Sequence, residues 1–265
     1  MERYEQLCEV IGRYDRVAVC LSGGSDSALV AKAAVDALGA GNVIGITVNT
    51  DFLTGEELEI SARLCKFLGI ELLTPRARLL LEKEIVRNGE DRCYHCKRCM
   101  SQCIRAAAQS LGIHTLLDGS THVTNADDTY GAQGLRENAI VSPLKEVNME
   151  KQEIFSLLRE KGMRRFVRPE NSCLATRMDY GDPITVKKLR WVRAAENYIR
   201  QLGFDVVRVR VCNREARIEV EKDRVADLEY MKEDVVEELQ GMGYETVTID
   251  PAGYRPRPCG VVPAK

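Results

Sequence analysis

The sequence predicts an α/β fold in which a doubly wound parallel sheet is followed by a small C-terminal α+β domain. Two observations carry this prediction. Short apolar segments alternate with amphipathic ones from residue 17 to residue 161, and the alternation stops after residue 182. Alternating strands and helices indicate a parallel sheet covered on both faces, with ligands at the carboxyl ends of its strands. We therefore expect two domains, residues 1–182 and 183–265.

The N-terminal domain contains four segments typical of buried strands and four with helical periodicity. The predicted strands are Val17–Leu21, Val43–Val48, Ile70–Leu73 and Thr115–Leu117. The predicted helices are Ser27–Leu38, Glu56–Leu68, Cys93–Ser110 and Glu150–Lys161. This order is that of successive strand–helix units.

The C-terminal domain has a different order of elements. Thr185 is the predicted N-cap of a helix that ends near Leu202. The elements after it are two strands, a helix and a strand: Val206–Val211, Ala216–Val220, Asp223–Leu239 and Thr246–Ile249. The first two strands are close enough to pair as a hairpin. The domain is therefore an α+β appendage.

Charge and hydropathy limit the classes of function. The 38 lysines and arginines are balanced by 40 aspartates and glutamates, so nucleic acid binding would need a local basic patch. The sequence has no apolar signal core and no stretch near the ~20 apolar residues of a membrane span, so we expect a cytoplasmic protein without membrane contact. Its ten cysteines indicate metal, cluster or sulfur chemistry rather than disulfides.

A glycine-rich turn, Ser22–Ser27, lies between the first predicted strand and the helix after it. It reads Ser-Gly-Gly-Ser-Asp-Ser. Backbone N–H groups and the helix dipole at such a turn would hold a pyrophosphate. The turn lacks the Lys-Ser/Thr of a Walker A loop and supplies hydroxyls and a carboxylate suited to Mg²⁺. It resembles the PP-loop of the ATP pyrophosphatases, which implies a HUP-like fold with ATP and Mg²⁺ at Ser22, Gly23, Gly24, Ser25, Asp26 and Ser27.

Four cysteines, Cys93, Cys96, Cys99 and Cys103, follow the C-x₂-C-x₂-C-x₃-C spacing of ferredoxins. A helix rises about 1.5 Å per residue, so in a helix Cys93 and Cys103 would be about 15 Å apart, too far to share a cluster. Cys93 and Cys96, one turn apart, could share a metal, including zinc with His95. We interpret Cys99 and Cys103 as buried packing residues.

Cys173 lies in a polar segment with neither helical nor strand periodicity. A cysteine in a loop of this kind has less reason to fill a core, so it is a candidate functional residue. By contrast, Cys8, Cys20 and Cys65 lie in apolar patterns and are predicted to pack in the core.

Arg208 and Arg210 share one face of a predicted strand because side chains alternate along it. Two guanidiniums on one face could bind a phosphate. The alternative is a solvated face in which Glu196, Glu219 or Glu221 forms salt bridges with them. The sequence leaves both interpretations open.

The chain resembles the LarE family of ATP-dependent sulfur transferases, which build the nickel-pincer nucleotide cofactor. The segments that carry the resemblance are Ser22–Ser27, Arg92–Lys97, Asp118–Gly119, Thr124–Asp128, Ser142–Leu144, Cys173–Arg177, Tyr180–Thr185, Val207–Val211, Ala216–Val220 and Gly253–Arg255. The resemblance implies adenylation of a carboxylate of pyridinium-3,5-biscarboxylic acid mononucleotide, a small-molecule nucleotide. Sulfur then displaces AMP to give a thiocarboxylate. It also implies a homo-oligomer, because family members are hexamers.

The resemblance implies two possible sources of sulfur. Some members sacrifice the sulfur of one cysteine, which matches Cys173. Others hold a [4Fe-4S] cluster on three cysteines, which match Cys93, Cys96 and Cys173. This chain has all three, so we favour the cluster type. The implied substrate-binding residues are Arg177, Arg208 and Arg210 for the phosphate and Glu196 for the pyridinium ring.

Two rival functions are a PP-loop tRNA thiolase and a non-catalytic sensor. The thiolase would need a basic RNA-binding face, which the near-neutral charge does not favour. A sensor would not need adenylation machinery, yet Asp26 and the three cysteines are all present.

Overall fold

The computed structural model of the protein describes residues 2–121, 139–168 and 172–255. The motif match at Thr124–Asp128 lies outside the described residues.

The chain forms two compact units, each built from two segments. The first unit consists of Met1–Arg78 and Cys93–Asn171, and the second of Leu79–Arg92 and Ser172–Lys265. The predicted domain boundary after residue 182 therefore falls inside the second unit, which also takes a segment from the predicted N-terminal domain.

The first unit contains a five-stranded sheet in the order β3-β2-β1-β4-β5. Its strands are β1 Val17–Cys20, β2 Val43–Ile46, β3 Glu71–Leu73, β4 Thr115–Leu117 and β5 Ile140–Val141. All four neighbouring pairs are parallel, which confirms the predicted α/β class. β1 lies at the centre, so the turn that follows it opens at the carboxyl edge of the sheet.

Ten α-helices are found in the described residues. In chain order they are α1 Glu2–Ile11, α2 Ser25–Leu38, α3 Glu56–Leu68, α4 Lys83–Val86, α5 Arg92–Gln109, α6 Pro143–Glu146, α7 Lys151–Glu160, α8 Val186–Gln201, α9 Val225–Tyr230 and α10 Lys232–Gly241. None of the helices in these described segments is long and apolar enough to cross a membrane.

The core of the first unit lies around α2, an alanine-rich helix that follows β1. Ala28, Ala31 and Ala34 are buried, and their small side chains let α2 approach its neighbours closely. α1 was not predicted from the sequence. It buries Leu7 and Ile11 in the same core, at the spacing of one helical face.

The second unit contains a three-stranded sheet in the order β6-β7-β8. β6 Arg208–Cys212 and β7 Glu215–Glu219 form the predicted antiparallel hairpin, and β8 Thr246–Ile249 pairs with β7 in parallel. Thr185 caps α8 as predicted, because its side chain accepts a hydrogen bond from the backbone N–H of Lys188 at 3.2 Å. The helix predicted over Asp223–Leu239 is two helices, α9 and α10, with a break at Met231.

Candidate active site

The glycine-rich turn joins β1 to α2 and is closed by its own hydroxyls. The Ser27 side chain accepts a hydrogen bond from the backbone N–H of Ser22 at 3.2 Å and donates to the carbonyl of Gly24 at 3.1 Å. The Ser22 hydroxyl accepts from the backbone N–H of Gly24 at 3.3 Å. These bonds fix the backbone of the turn at the N-terminus of α2, where N–H groups face an incoming anion.

Two glycines are required here by close backbone contacts. Gly23 has a φ of +76°, and a Cβ on it would lie 2.9 Å from the Cα of Glu57. Gly119 follows β4, and a Cβ on it would lie 2.6 Å from the backbone nitrogen of Ser27. The turn is therefore packed between the start of α3 and the end of β4, which explains Gly119 in the Asp118–Gly119 motif.

The hydroxyl of Ser25 points into the protein. Ser25 is 2% exposed, and its Oγ accepts a hydrogen bond from the backbone N–H of Arg168 at 2.9 Å. The same oxygen lies 3.1 Å from the carbonyl oxygen of Phe166. This hydroxyl joins the turn to the chain after α7, so only the backbone of Ser25 can face a phosphate.

Asp26 forms an ion pair with a lysine that was not predicted from the sequence. The Nζ atom of Lys151 lies 2.7 Å from both carboxylate oxygens of Asp26. A second ion pair nearby joins Arg168 to Glu56 at 2.7 Å. No sequence motif marks Lys151, Arg168 or Glu56. Lys151 and Arg168 are distant from the turn in sequence, and Glu56 lies on another helix. The sequence does place Lys151 in the first turn of a predicted helix, where the helix dipole disfavours a cation. This unfavourable position is a weak sequence signal for a partner carboxylate.

The donor set of the turn fits a magnesium–nucleotide complex. Ser22 and Asp26 offer hard oxygen ligands of the kind that Mg²⁺ prefers, whereas the Ser27 hydroxyl is buried and bonded within the turn. Gly23 leaves open the space that a side chain would fill against Glu57. The turn could thus hold phosphates with its N–H groups and a cation with its oxygens.

All four cysteines of the ferredoxin-like motif lie on α5, as the helix prediction required. With a rise of about 1.5 Å per residue, Cys93 and Cys103 are about 15 Å apart along the axis. Cys93 and Cys96 are separated by one turn and are half-buried. This geometry separates Cys103 from the Cys93–Cys96 pair.

The interpretation of Cys99 and Cys103 as buried packing residues is wrong. Both are only half-buried, because the buried face of α5 is formed by Ser101, Ile104 and Ala108. Desolvation raises the pKa of the Cys103 thiol.

Three other cysteines lie in packed surroundings, as predicted. Cys65 belongs to the core, and Cys8 packs against it. Burial raises the pKa of Cys65 to about 11 and that of Cys20 to about 12, with a further contribution at Cys20 from Asp118. These thiols stay protonated near neutral pH and are poor candidates for sulfur chemistry.

Cys173 precedes a short 3₁₀ helix, Leu174–Arg177, and we call the segment Ser172–Arg177 the Cys173 turn. Arg177 is 1% exposed and donates to the backbone carbonyls of Ser172 and Cys173 at 2.8 and 3.1 Å. The same guanidinium donates to the two carboxylate oxygens of Glu196 at 2.7 and 3.1 Å. Arg177 thus fixes the backbone on which the Cys173 thiol is carried.

A second set of bonds holds the chain beyond the Cys173 turn. Asn88 is fully buried, and its side-chain amide donates to the carbonyls of Asp179 and Asp182, both at 2.8 Å. Arg92 donates to the Asn88 side chain and, at 3.1 Å, to the carbonyl of Ala175. No sequence motif marks Asn88, because its role depends on residues almost a hundred positions away.

Glu196 is fully buried, and its carboxylate accepts hydrogen bonds from several donors. Its carboxylate also accepts from the backbone N–H of Val209 at 3.1 Å and from Arg200 at 3.2 Å. In the structure Glu196 is therefore an internal counter-ion that joins α8 to the Cys173 turn and to β6.

Arg208 and Arg210 have different partners. Arg210 pairs with Glu219 at 3.0 Å and donates to the carbonyl of Thr176 at 2.6 Å, so the salt-bridge interpretation holds for this residue. Arg208 is 4% exposed, donates to the carbonyl of Val207 at 2.7 Å and lies 4.8 Å from the ring centroid of Tyr254. Desolvation, with the nearby Arg177 charge, lowers the pKa of Arg208.

These side chains form one group, which we call the arginine cluster. It consists of Arg177, Arg200, Arg208 and Arg210 around Glu196 and Glu219. Four guanidiniums and two carboxylates give this group a positive charge, which favours an anion.

The chain is similar to known proteins over most of its length. The sequence profile of the NAD synthase family matches residues 7–84. An uncharacterised protein of Synechocystis sp. is 33% identical over 255 residues, which are 96% of this chain and 95% of that protein. The pyridinium-3,5-bisthiocarboxylic acid mononucleotide synthase of Lactiplantibacillus plantarum is 32% identical over 240 residues, 91% of this chain and 87% of the synthase.

A shorter similarity covers about a fifth of the chain. The glutamine-dependent NAD(+) synthetase of Thermotoga maritima is 43% identical over 58 residues, 22% of this chain and 10% of the synthetase. This local match accords with the NAD synthase profile, whereas the match to the Lactiplantibacillus synthase extends through both units. The parallel sheet, the glycine-rich turn and this extended similarity together show that the chain is a PP-loop protein that belongs to the LarE family.

Proposed function

We propose that the protein is an ATP-dependent sulfur transferase that acts on pyridinium-3,5-biscarboxylic acid mononucleotide. A carboxylate oxygen of the substrate attacks the α-phosphorus of ATP, and pyrophosphate leaves. Sulfide then attacks the acyl carbon, AMP leaves, and the product is a thiocarboxylate. The observation that carries the proposal is the glycine-rich turn with Asp26 at the N-terminus of α2, in a chain similar throughout to the Lactiplantibacillus synthase.

In this proposal the glycine-rich turn binds the phosphates of ATP. The backbone N–H groups of the turn, including that of Ser25, face the phosphate oxygens. The hydroxyl of Ser22 and the carboxylate of Asp26 would hold Mg²⁺, while the buried Ser27 hydroxyl keeps the turn closed. When bound, Mg²⁺ supplies positive charge that stabilises the departing pyrophosphate.

The arginine cluster is the proposed site for the phosphate of the substrate. Arg177, Arg208 and Arg210 belong to it, and its positive charge supports this role. Glu196 was assigned to the pyridinium ring by family resemblance. Because both of its oxygens accept hydrogen bonds from arginines, we propose that it holds Arg177 against the carbonyls of Ser172 and Cys173.

The proposed sulfur carrier is a [4Fe-4S] cluster on Cys93, Cys96 and Cys173. Thiols are soft ligands of the kind that bind iron, and the half-burial of these three supports the assignment. With three protein ligands, the cluster would keep one iron open to bind sulfide. The alternative is sacrifice of the Cys173 sulfur, in which no iron is needed. We also propose a homo-oligomeric, cytoplasmic enzyme.

The exchange of pyrophosphate into ATP tests adenylation directly. Asp26→Ala should lower the substrate-dependent exchange rate at least about a hundredfold, because the carboxylate that holds the cation beside the phosphates is lost. Asp15→Ala is the control, since Asp15 is an exposed residue before β1. Exchange at the wild-type rate in Asp26→Ala would contradict the assignment of the turn.

A further inference from the structure

Lys151 occupies a position where a lysine is disfavoured. It is the first residue of α7, and the N-terminal end of a helix carries positive partial charge that repels a cation. The capping box of Glu150 and Glu153 places acidic side chains at this end of the helix. Lys151 has a further compensating interaction, with a carboxylate outside this helix.

Asp26 provides that interaction, from the start of another helix. Its two carboxylate oxygens both lie 2.7 Å from the Lys151 Nζ atom. The side chains of Lys151 and Asp26 are 28% and 23% exposed, so the pair is reached by solvent but only partly screened by it. Phe155 supports the lysine from α7, with its ring centroid 5.5 Å from Nζ. The ammonium group is thereby held beside the glycine-rich turn.

The surroundings of the turn make a cation valuable there. Glu57 and Asp118 are buried acidic residues next to Gly23 and Gly119, and Asp26 is a third acidic residue. A polyphosphate entering this region would be repelled by these carboxylates. The ammonium group of a lysine is compact and sits on a flexible stem with three donors, so it can move between two anions.

We propose that Lys151 is a further ATP-binding residue. It neutralises Asp26 when no metal ion does, and it donates to phosphate oxygens when Mg²⁺ binds the Asp26 carboxylate. This inference rests on the proposed function, because it assumes that the turn binds Mg²⁺ and ATP. When Mg²⁺ and ATP bind together, the Asp26–Lys151 ion pair would be replaced by two contacts. Asp26 would bind Mg²⁺, and Lys151 would bind a phosphate oxygen.

The test is a double-mutant cycle read out as ATP affinity by isothermal titration calorimetry. Four proteins are compared: the wild type, Lys151→Met, Asp26→Asn and the double variant, each with Mg²⁺ and with EDTA. With Mg²⁺, Lys151→Met should weaken ATP binding by about tenfold to a hundredfold, the effect of one charge-assisted hydrogen bond.

The measurements in EDTA separate a binding role from a structural one. With Asp26 present, Lys151→Met should weaken ATP binding under either role, because the Asp26 carboxylate beside the turn loses its counter-ion. In the Asp26→Asn background the same change should cost about tenfold, because Lys151 is then available to phosphate. A lysine that acts only by neutralising Asp26 has lost that ion pair in this background, and its replacement would leave ATP affinity unchanged.

Two control variants complete the design. Lys151→Arg keeps the positive charge and should retain most of the affinity. Lys32→Met removes a lysine that pairs with Asp36 further along α2, and it should leave ATP affinity unchanged. Suppose that Lys151→Met changes ATP affinity by less than about twofold, both in the wild type with Mg²⁺ and when it is added to Asp26→Asn in EDTA. This inference would then be overturned, and the proposed function would not. A wild-type chain that binds no ATP in the presence of Mg²⁺ would overturn the proposed function and this inference with it.

Discussion

Gly23 has a left-handed backbone and a close backbone neighbour, and comparison with Gly69 separates the effects of these two features. Both residues have positive φ values, +76° and +68°. A Cβ on Gly69 would meet nothing within 4 Å, whereas a Cβ on Gly23 would lie 2.9 Å from the Cα of Glu57. Backbone atoms cannot move aside as a flexible side chain does. Glycine is therefore required at position 23 for two reasons: the backbone is left-handed, and no space is left for a Cβ.

We expect Gly23→Ala to be more destabilising than Gly69→Ala. The latter should cost about 1–2 kcal/mol of unfolding free energy, from backbone strain alone. Gly23→Ala should cost about 1–3 kcal/mol more, because the turn must shift away from α3. Urea unfolding measures both values, and ATP affinity should fall only in Gly23→Ala. Equal costs in the two variants would contradict the packing of the turn against Glu57.

At the scale of elements, a single side chain of α8 connects three parts of the second unit. Glu196 bonds Arg177 in the Cys173 turn and the backbone N–H of Val209 in β6. Glu196→Gln should lower the unfolding free energy by about 3–5 kcal/mol, because it leaves buried guanidinium charge without its counter-ion.

The exposed pair of Glu59 and Arg63 on α3 provides the matched control. These residues lie 3.2 Å apart with well-exposed side chains. Glu59→Gln should change the unfolding free energy by no more than about 0.5 kcal/mol. If chemical denaturation shows a loss of similar size for both variants, Glu196 is not the counter-ion that holds these elements together.

The elements that could be predicted are those with strong periodicity. Four of the five strands of the large sheet and the helices that follow the strands were predicted, because apolar period and length suffice there. α1 was missed although Tyr4, Leu7 and Ile11 recur at helical spacing. The break at Met231 has no sequence signal of the Gly or Pro kind, so one helix was predicted where two are found.

The candidate site divides in the same way. The glycine-rich turn is contiguous, so its residues carry their own motif and could be identified from the sequence. The roles of Lys151 and Asn88 depend on partners 125 and about ninety positions away, and only folding brings these together. The half-burial of Cys99 and Cys103 likewise depends on which face of α5 is buried. Motif spacing alone does not determine that.

At the scale of the whole molecule, the charge of the chain favours a small substrate over a nucleic acid. A net charge of −2 gives no long-range attraction for RNA. The arginine cluster is a local group of positive charge, and its guanidiniums are largely buried. A cluster of this size suits one phosphate group better than a polyanion, which supports a mononucleotide substrate over tRNA.

Iron per chain can be measured in five full-length single variants after anaerobic reconstitution. Cys93→Ser, Cys96→Ser and Cys173→Ser should each lose iron and sulfur transfer together, from about four irons in the wild type. Cys99→Ser and Cys103→Ser are matched controls on the same helix and should keep the iron. A helical rise of about 1.5 Å per residue carries Cys103 away from the Cys93–Cys96 pair.

The same five variants distinguish the alternatives. A ferredoxin-like cluster confined to α5 would be retained in Cys173→Ser and lost in Cys99→Ser and Cys103→Ser, the reverse of our expectation. One zinc per chain in place of iron would support the sensor. If the wild type holds no iron and one turnover leaves Cys173 lighter by the mass of H₂S, the protein sacrifices that sulfur. Only Cys173→Ser would then abolish transfer, because the thiols of α5 would take no part in the reaction, and the assignment of the cluster would be wrong.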